Sequence, residues 1–217
     1  MFRRKSISPE DIRAENRAIL SEQGIPVNTH LPLIDAGDET SLRSSQSIAR
    51  RLIIAYAITG LGKDRDVDPQ KLYAWLCEND LCEELSQREV SYFLTPLTSQ
   101  DIVQLSWRQE RLMTYAWVLA LIEALPLPNH EADISGLFPL IPPVISQDEF
   151  IRSARRIDAN RIYLILDRYY CYHWALRHPE KWNGKPTHCI SIVQERRLAL
   201  EWTIGMEKAP DDISLDT

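Results

Sequence analysis

Glu110, Asp158, Asp167 and Glu195 are the side chains of this chain best placed to do acid–base chemistry, because each falls on a segment otherwise patterned for packing. At helical spacing Glu110 lines up with Val103, Trp107, Thr114, Trp117 and Leu121, and Glu195 with Leu198 and Trp202. Asp158 joins Ile151, Ala154, Ile162, Ile165, Tyr169, Tyr172 and Leu176 in the same way. Carboxylates gathered on one cavity wall could serve as general acid and base in a hydrolysis, with water or substrate held between them. Buried without partners, they would instead be costly or take up protons. Guanidiniums on neighbouring stripes, from Arg50, Arg108, Arg155 and Arg196, are bidentate partners for them. The expected arrangement is therefore an internal network of Arg50, Arg108, Glu110, Arg155, Asp158, Glu195 and Arg196 that sets helix register. Such a network perturbs acidities without being catalytic.

A second cluster, Cys171, His173, His178, His188 and Cys189, holds residue types that ligate zinc. Two positions apart on a helix, Cys171 and His173 diverge, and the other three would have to fold back from beyond the helix end. Core thiols and histidines against aromatic edges are the expected reading, with no metal and no cofactor. A Cys171 or Cys189 nucleophile activated by His173 or His188 would need hydrogen-bond proximity and an oxyanion site, which spacing does not supply. Cys77 and Cys82 lack redox CxxC spacing, and four cysteines in 217 residues do not make a disulfide scaffold. A reducing cytoplasm is the compartment expected. Phosphate-binding, dinucleotide, HExxH and serine-hydrolase signatures are absent from the sequence.

The elements that must position these groups read as helices. Pro9–Gln23 opens on Pro-Glu-Asp and stops before Gly24, a second helix runs from Ser44 or Ser45 to Gly60, and Asp68–Pro69 caps a short one. Ser86 with Glu89 and Ser146 with Glu149 have capping-box spacing. Between them lies a segment apolar on nearly every face, predicted as one central helix over Gln100–Leu125. A long helix is predicted from Ser146 to about Leu176, and a last one over Ile190–Met206. The fold class is all-α: a single-domain irregular bundle of about seven helices, with residues 1–8 as a basic arm, 9–206 as the helical domain and 207–217 as an acidic tail.

Composition narrows the function. Hydrophobic residues at 44%, charged residues at 26% and a net charge of −6 describe a soluble globule and disfavour general nucleic-acid binding. The cations and rings of Arg161, Tyr163, Arg168, Tyr169, Tyr170, Tyr172, His173 and Trp174 are distributed around several faces, not along one groove. Leu112–Leu125 is short for a membrane span and is followed by Pro126 and Pro128, and the basic N-terminus has no apolar run behind it, so no membrane association or secretion is expected.

The ordered motifs resemble a known family. Gly24–Ile25–Pro26 with Leu31–Pro32, Arg43–Ser44, Ile48–Ala49–Arg50–Arg51 and Ser106–Trp107–Arg108–Gln109–Glu110 leading to Trp117 are similar to the bacterial domain of unknown function 4272 (DUF4272). The likeness continues at Asp167–Arg168–Tyr169–Tyr170, His173–Trp174–Ala175 and Glu195–Arg196–Arg197–Leu198–Ala199–Leu200–Glu201–Trp202, and covers roughly residues 3–204. It implies a mostly helical, cytoplasmic domain and carries no activity, cofactor or catalytic residue. The expected function is a protein-interaction or accessory, regulatory module, with residues 126–143 in its contact surface. An unidentified protein or a second copy in a homodimer is the partner. The alternative is a hydrolytic enzyme with a carboxylate-lined pocket around Glu110.

Overall fold

Local capping signals decide where most helices begin. In the computed structural model, which describes residues 7–35, 41–64, 66–205, 207 and 209–215, Ser8 caps α1 (Pro9–Glu22) and Ser44 caps α2 (Ser45–Lys63). Asp68 accepts from the N–H groups of Gln70 and Lys71 at the start of α3 (Pro69–Glu78). Reciprocal Ser86–Glu89 and Thr98–Asp101 boxes open α4 (Gln87–Leu94) and α5 (Ser99–Ser106). The remaining helices are α6 (Gln109–Val118), α7 (Gln147–Ser153), α8 (Ala159–Arg177) and α9 (Ile190–Ile204). Among the described residues all regular structure is helical, as expected. The basic arm to Lys5 and the predicted helix end at Met206 lie outside the described residues.

Both long helices of the sequence reading are divided. The central one breaks at Trp107–Arg108, where Trp107, Arg108, Glu110 and Arg111 donate to carbonyls three residues back and tighten the chain into a 3₁₀ turn. It also ends early. The Leu121 N–H reaches the Ala116 carbonyl and the Ala120 N–H that of Trp117, a Schellman closure with Ala120 at φ 58° where glycine is usual. The helix predicted from Ser146 breaks at Ala154–Asp158. The Arg155 guanidinium donates to the Ser153 and Ala154 carbonyls at the end of α7, Asp158 caps α8, and the Ile157 N–H bonds the Val118 carbonyl at the end of α6. The second helix, by contrast, runs past Gly60 and Gly62 to Lys63. Gly62 is a close approach, not a terminator: a Cβ there would lie 2.5 Å from the Ser106 nitrogen of α5.

Packing runs through a chain of neighbours, α1 on α8, α8 on α9, α9 on α6, α6 on α2 and α2 on α5. Every residue of α6 is buried, and α2 buries Ile48, Leu52, Ile53, Ile54 and Ile58 against it and its neighbours. The centre of the bundle is thus the α2–α6 pair. Cys77 and Cys82 form a disulfide across the end of α3, where the sequence reading expected no disulfide framework. Asp80, at φ 56°, turns the chain so that the two Cα atoms stand 4.8 Å apart. Within residues 207–217, read as an acidic tail, the described Pro210–Asp212 segment forms a 3₁₀ turn that docks on α9.

Candidate functional site

Among the described residues the charged groups of the core gather in clusters. At the deepest, Glu110 of α6 meets Arg196 of α9, both fully buried. The Arg196 Nε donates to Glu110 Oε2 at 2.8 Å, and the Ala132 N–H donates to Oε1 at 2.7 Å. Arg196 further donates to the Tyr169 hydroxyl at 2.8 Å and to the Pro126 carbonyl, tying the proline segment to the core. Burial pushes the Tyr169 phenol up and keeps it a neutral acceptor.

A second cluster joins α6, α9 and the C-terminal segment. Glu195 accepts from Arg108 at 2.9 Å and 3.1 Å and from Arg111, while Asp211 Oδ1 stands 2.9 Å from a terminal nitrogen of each guanidinium. Desolvation raises the Glu195 pKa, with the Arg111 charge opposing it; burial by itself lowers the Arg111 pKa, but the Glu195 and Asp211 carboxylates outweigh it and the net shift is upward. Unlike the first cluster, this one reaches solvent: a cleft of about 440 Å³ is lined by Arg88, Trp107, Arg108, Arg111, Gln194 and Glu195, with Pro210 and Asp211 at its side.

Two more buried pairs were not anticipated. Arg13 of α1 forks onto Asp167 of α8 at 2.7–3.1 Å and donates to the Leu31 and Pro32 carbonyls at 2.7 Å. Asn16 donates to the same carboxylate at 2.9 Å. Arg51 of α2 pairs with Glu89, whose other bond is the cap of α4. Arg13, Arg51, Arg111, Glu89 and Asp211 are therefore core partners that helical stripes did not reveal. Arg13 did carry a signal, since Asn16 and Leu20 follow it at three and seven positions on the buried face of α1.

Three residues expected in the central network stand elsewhere. Arg50 is half-buried and bonds Glu84 and the Asp80 carbonyl, Arg155 closes α7, and Asp158 is the N-cap of α8. For Arg155 and Asp158 the reason is the break at residues 154–158, which turns the predicted stripe into two helix ends; Arg50 instead faces the turn after α3. Of the carboxylates considered for catalysis, Glu110, Asp167 and Glu195 each engage guanidinium, and they do so in three different clusters.

The cysteines and histidines are dispersed. His173 Nδ1 accepts from Arg197 at 2.9 Å, and burial with that cation holds its pKa down at about 4. His178 stacks on Trp174 and its Nδ1 meets the Trp174 carbonyl, while His188 stands edge-on to Tyr172. The Cys171 thiol is pushed up to about 12 by burial, and Cys189 begins α9. Among the described residues no group of three or more His, Cys, Asp or Glu could hold a metal ion. No helix among them is long and apolar enough to cross a membrane.

A second cleft, about 300 Å³, lies between the 124–128 loop and α8, with Trp117, Leu127, Arg161, Arg168, Tyr169 and Tyr172 in its lining. Fold and clusters define an all-α bundle whose interior charges are matched by carboxylates and guanidiniums on different helices. Within that class the chain belongs to one family: a family model described as "Domain of unknown function (DUF4272)" matches residues 12–213. No curated protein matches the chain. No solved structure matches it either.

Proposed function

We propose that the chain is a protein-interaction module, an accessory or regulatory domain whose contact surface runs along residues 126–144. The observation that carries this reading is the distribution of exposed apolar side chains. Leu127 (56%), Phe138 (39%), Leu140 (43%) and Val144 (67%) are four of the eight large hydrophobics left in solvent among the described residues, within one short stretch. That stretch is anchored at Pro126 by Arg196 and borders the cleft lined by Leu127 and Tyr172, so it is held in place before any partner arrives. The buried Glu110–Arg196 pair supports it as a positioning element.

Hydrolysis at Glu110 draws no support from this geometry. Its side chain has no exposed surface, and the Arg196 guanidinium and the Ala132 N–H occupy its oxygens. A substrate would have to displace a buried ion pair to reach it.

The test is capture with the purified chain as bait, beside Leu127→Asp and Val144→Asp variants of unchanged circular dichroism. A stoichiometric protein retained by the wild type and lost with both variants supports the reading. Equal retention by all three, or no stoichiometric partner, overturns it.

A further inference from the structure

At the α6–α9 end, buried guanidiniums meet both solvent and a carboxylate from a different part of the chain. Arg88, Arg108 and Arg111 face Glu195 and Asp211 there, three cations against two anions, in a chain whose net charge is −6. Arg88 bonds neutral oxygens, the Tyr92 hydroxyl at 2.7 Å and the Gln104 side chain at 3.1 Å. Arg108 and Arg111 are at most 7% exposed and converge on a single oxygen, Asp211 Oδ1. The two anions are held differently. Glu195 belongs to the body of α9, whereas Asp211 sits in a three-residue 3₁₀ turn closed by the Asp212 side chain on the Ala209 N–H at 3.0 Å.

We propose that this cleft is a receptor for an acidic peptide segment, with Asp211 as the built-in stand-in for the ligand's carboxylate. The chemistry of the occupant is on display: a carboxylate carried by a peptide turn, received by two guanidiniums in a partly desolvated site. Ser191, Gln194 and Gln104 on the same lining supply hydroxyl and amide groups suited to a peptide backbone, and Trp107 and Leu198 supply apolar wall. Space of about 440 Å³ beside Asp211 admits several residues of a second chain. The incoming segment takes the Arg108–Arg111 pair as the Pro210–Asp212 turn lifts, so free and occupied forms differ in the position of that turn. This cleft shares no lining residue with the one beside Pro126–Pro128, and the inference stands apart from the interaction surface proposed above.

The experiment uses the full chain and its Asp211→Asn variant, titrated with a fluorescent hexapeptide of alternating aspartate and glycine. Its asparagine counterpart and inorganic phosphate serve as controls. The variant, relieved of the internal competitor, should bind the acidic peptide about tenfold more tightly than the wild type. Binding should weaken with added salt, and the asparagine peptide should not bind. In parallel, the Nε–H signals of Arg108 and Arg111 in the unaltered chain should shift on titration, a readout that stands even if the variant fails to fold. Unmoved arginine signals overturn the proposal. So do equal affinities of wild type and folded variant, or phosphate binding more tightly than the peptide.

Discussion

Arg13 and Asp167 lie 154 positions apart in sequence and meet as a fork on a carboxylate, at most 2% exposed, clamping α1 to α8. Two of the guanidinium's remaining donors hold the Leu31 and Pro32 carbonyls, so one side chain fixes both a helix and the irregular segment that follows it. Removing either charge leaves the other buried without its counterion. Asp167→Ala should therefore cost about 3–5 kcal/mol, and Arg13→Met about as much. The double variant should be far less than additive. Urea unfolding of the four proteins checks this; additive losses would mean the two charges do not couple.

The two glycines of α2 should respond oppositely to alanine. At Gly60 an added Cβ meets only Val67 Cγ2 at 4.0 Å, so Gly60→Ala should gain about 0.5–1 kcal/mol from helix propensity. At Gly62 the Cβ would stand 2.5 Å from the Ser106 nitrogen and 2.6 Å from the Leu105 carbonyl carbon, both backbone atoms. Gly62→Ala should cost about 1–3 kcal/mol by forcing α5 off α2. Thermal melts of the two variants should move in opposite directions.

His173 makes stability depend on pH. Its pKa falls from 6.5 to about 4 on folding, because burial and Arg197 disfavour the imidazolium. Between those values the unfolded chain holds the proton and the folded chain does not, so stability rises with pH across that window and is lost as pH falls through it. His173→Gln should remove this share of the acid sensitivity. Urea midpoints for wild type and variant should differ most at neutral pH and converge, or cross, toward the acid end. A histidine signal titrating in the folded chain near its ordinary value would contradict the assignment.

Thiol reactivity should separate the two free cysteines. Cys171 is buried with its pKa pushed up to about 12, whereas Cys189 is half-buried at the start of α9. Iodoacetamide at neutral pH should leave Cys171 unmodified in the folded chain and reach it on unfolding. Mass spectrometry of the labelled peptides reads this, and alkylation of Cys171 in native buffer would overturn it.

Helix starts were legible because their signal is local. Ser8, Ser44, Asp68, Ser86 and Ser146 each cap the helix that follows, through bonds spanning two or three residues. The break at Trp107–Arg108 was not legible, since no proline or glycine marks it and both residues keep right-handed helical backbone angles. Nor was the stop at Val118, where Ala120 adopts a conformation usually given to glycine. Asp158 was misplaced for a related reason: as an N-cap it ends the very stripe it seemed to sit on. The candidate site fared likewise, with Glu110, Glu195, Arg108 and Arg196 anticipated as core charges and Arg111 and Asp211 missed.

Taken alone, the amino-acid order determined the helical class, the capped starts, and the presence of carboxylates and guanidiniums on faces that must be buried. Periodicity and capping act over a few residues, so a linear reading reaches them. Which charge meets which was decided only by tertiary structure: Arg196 finds Glu110 across 86 positions and Arg108 finds Glu195 across 87. An ion pair depends on where whole helices cross and where they break, and no spacing within one helix encodes the position of another.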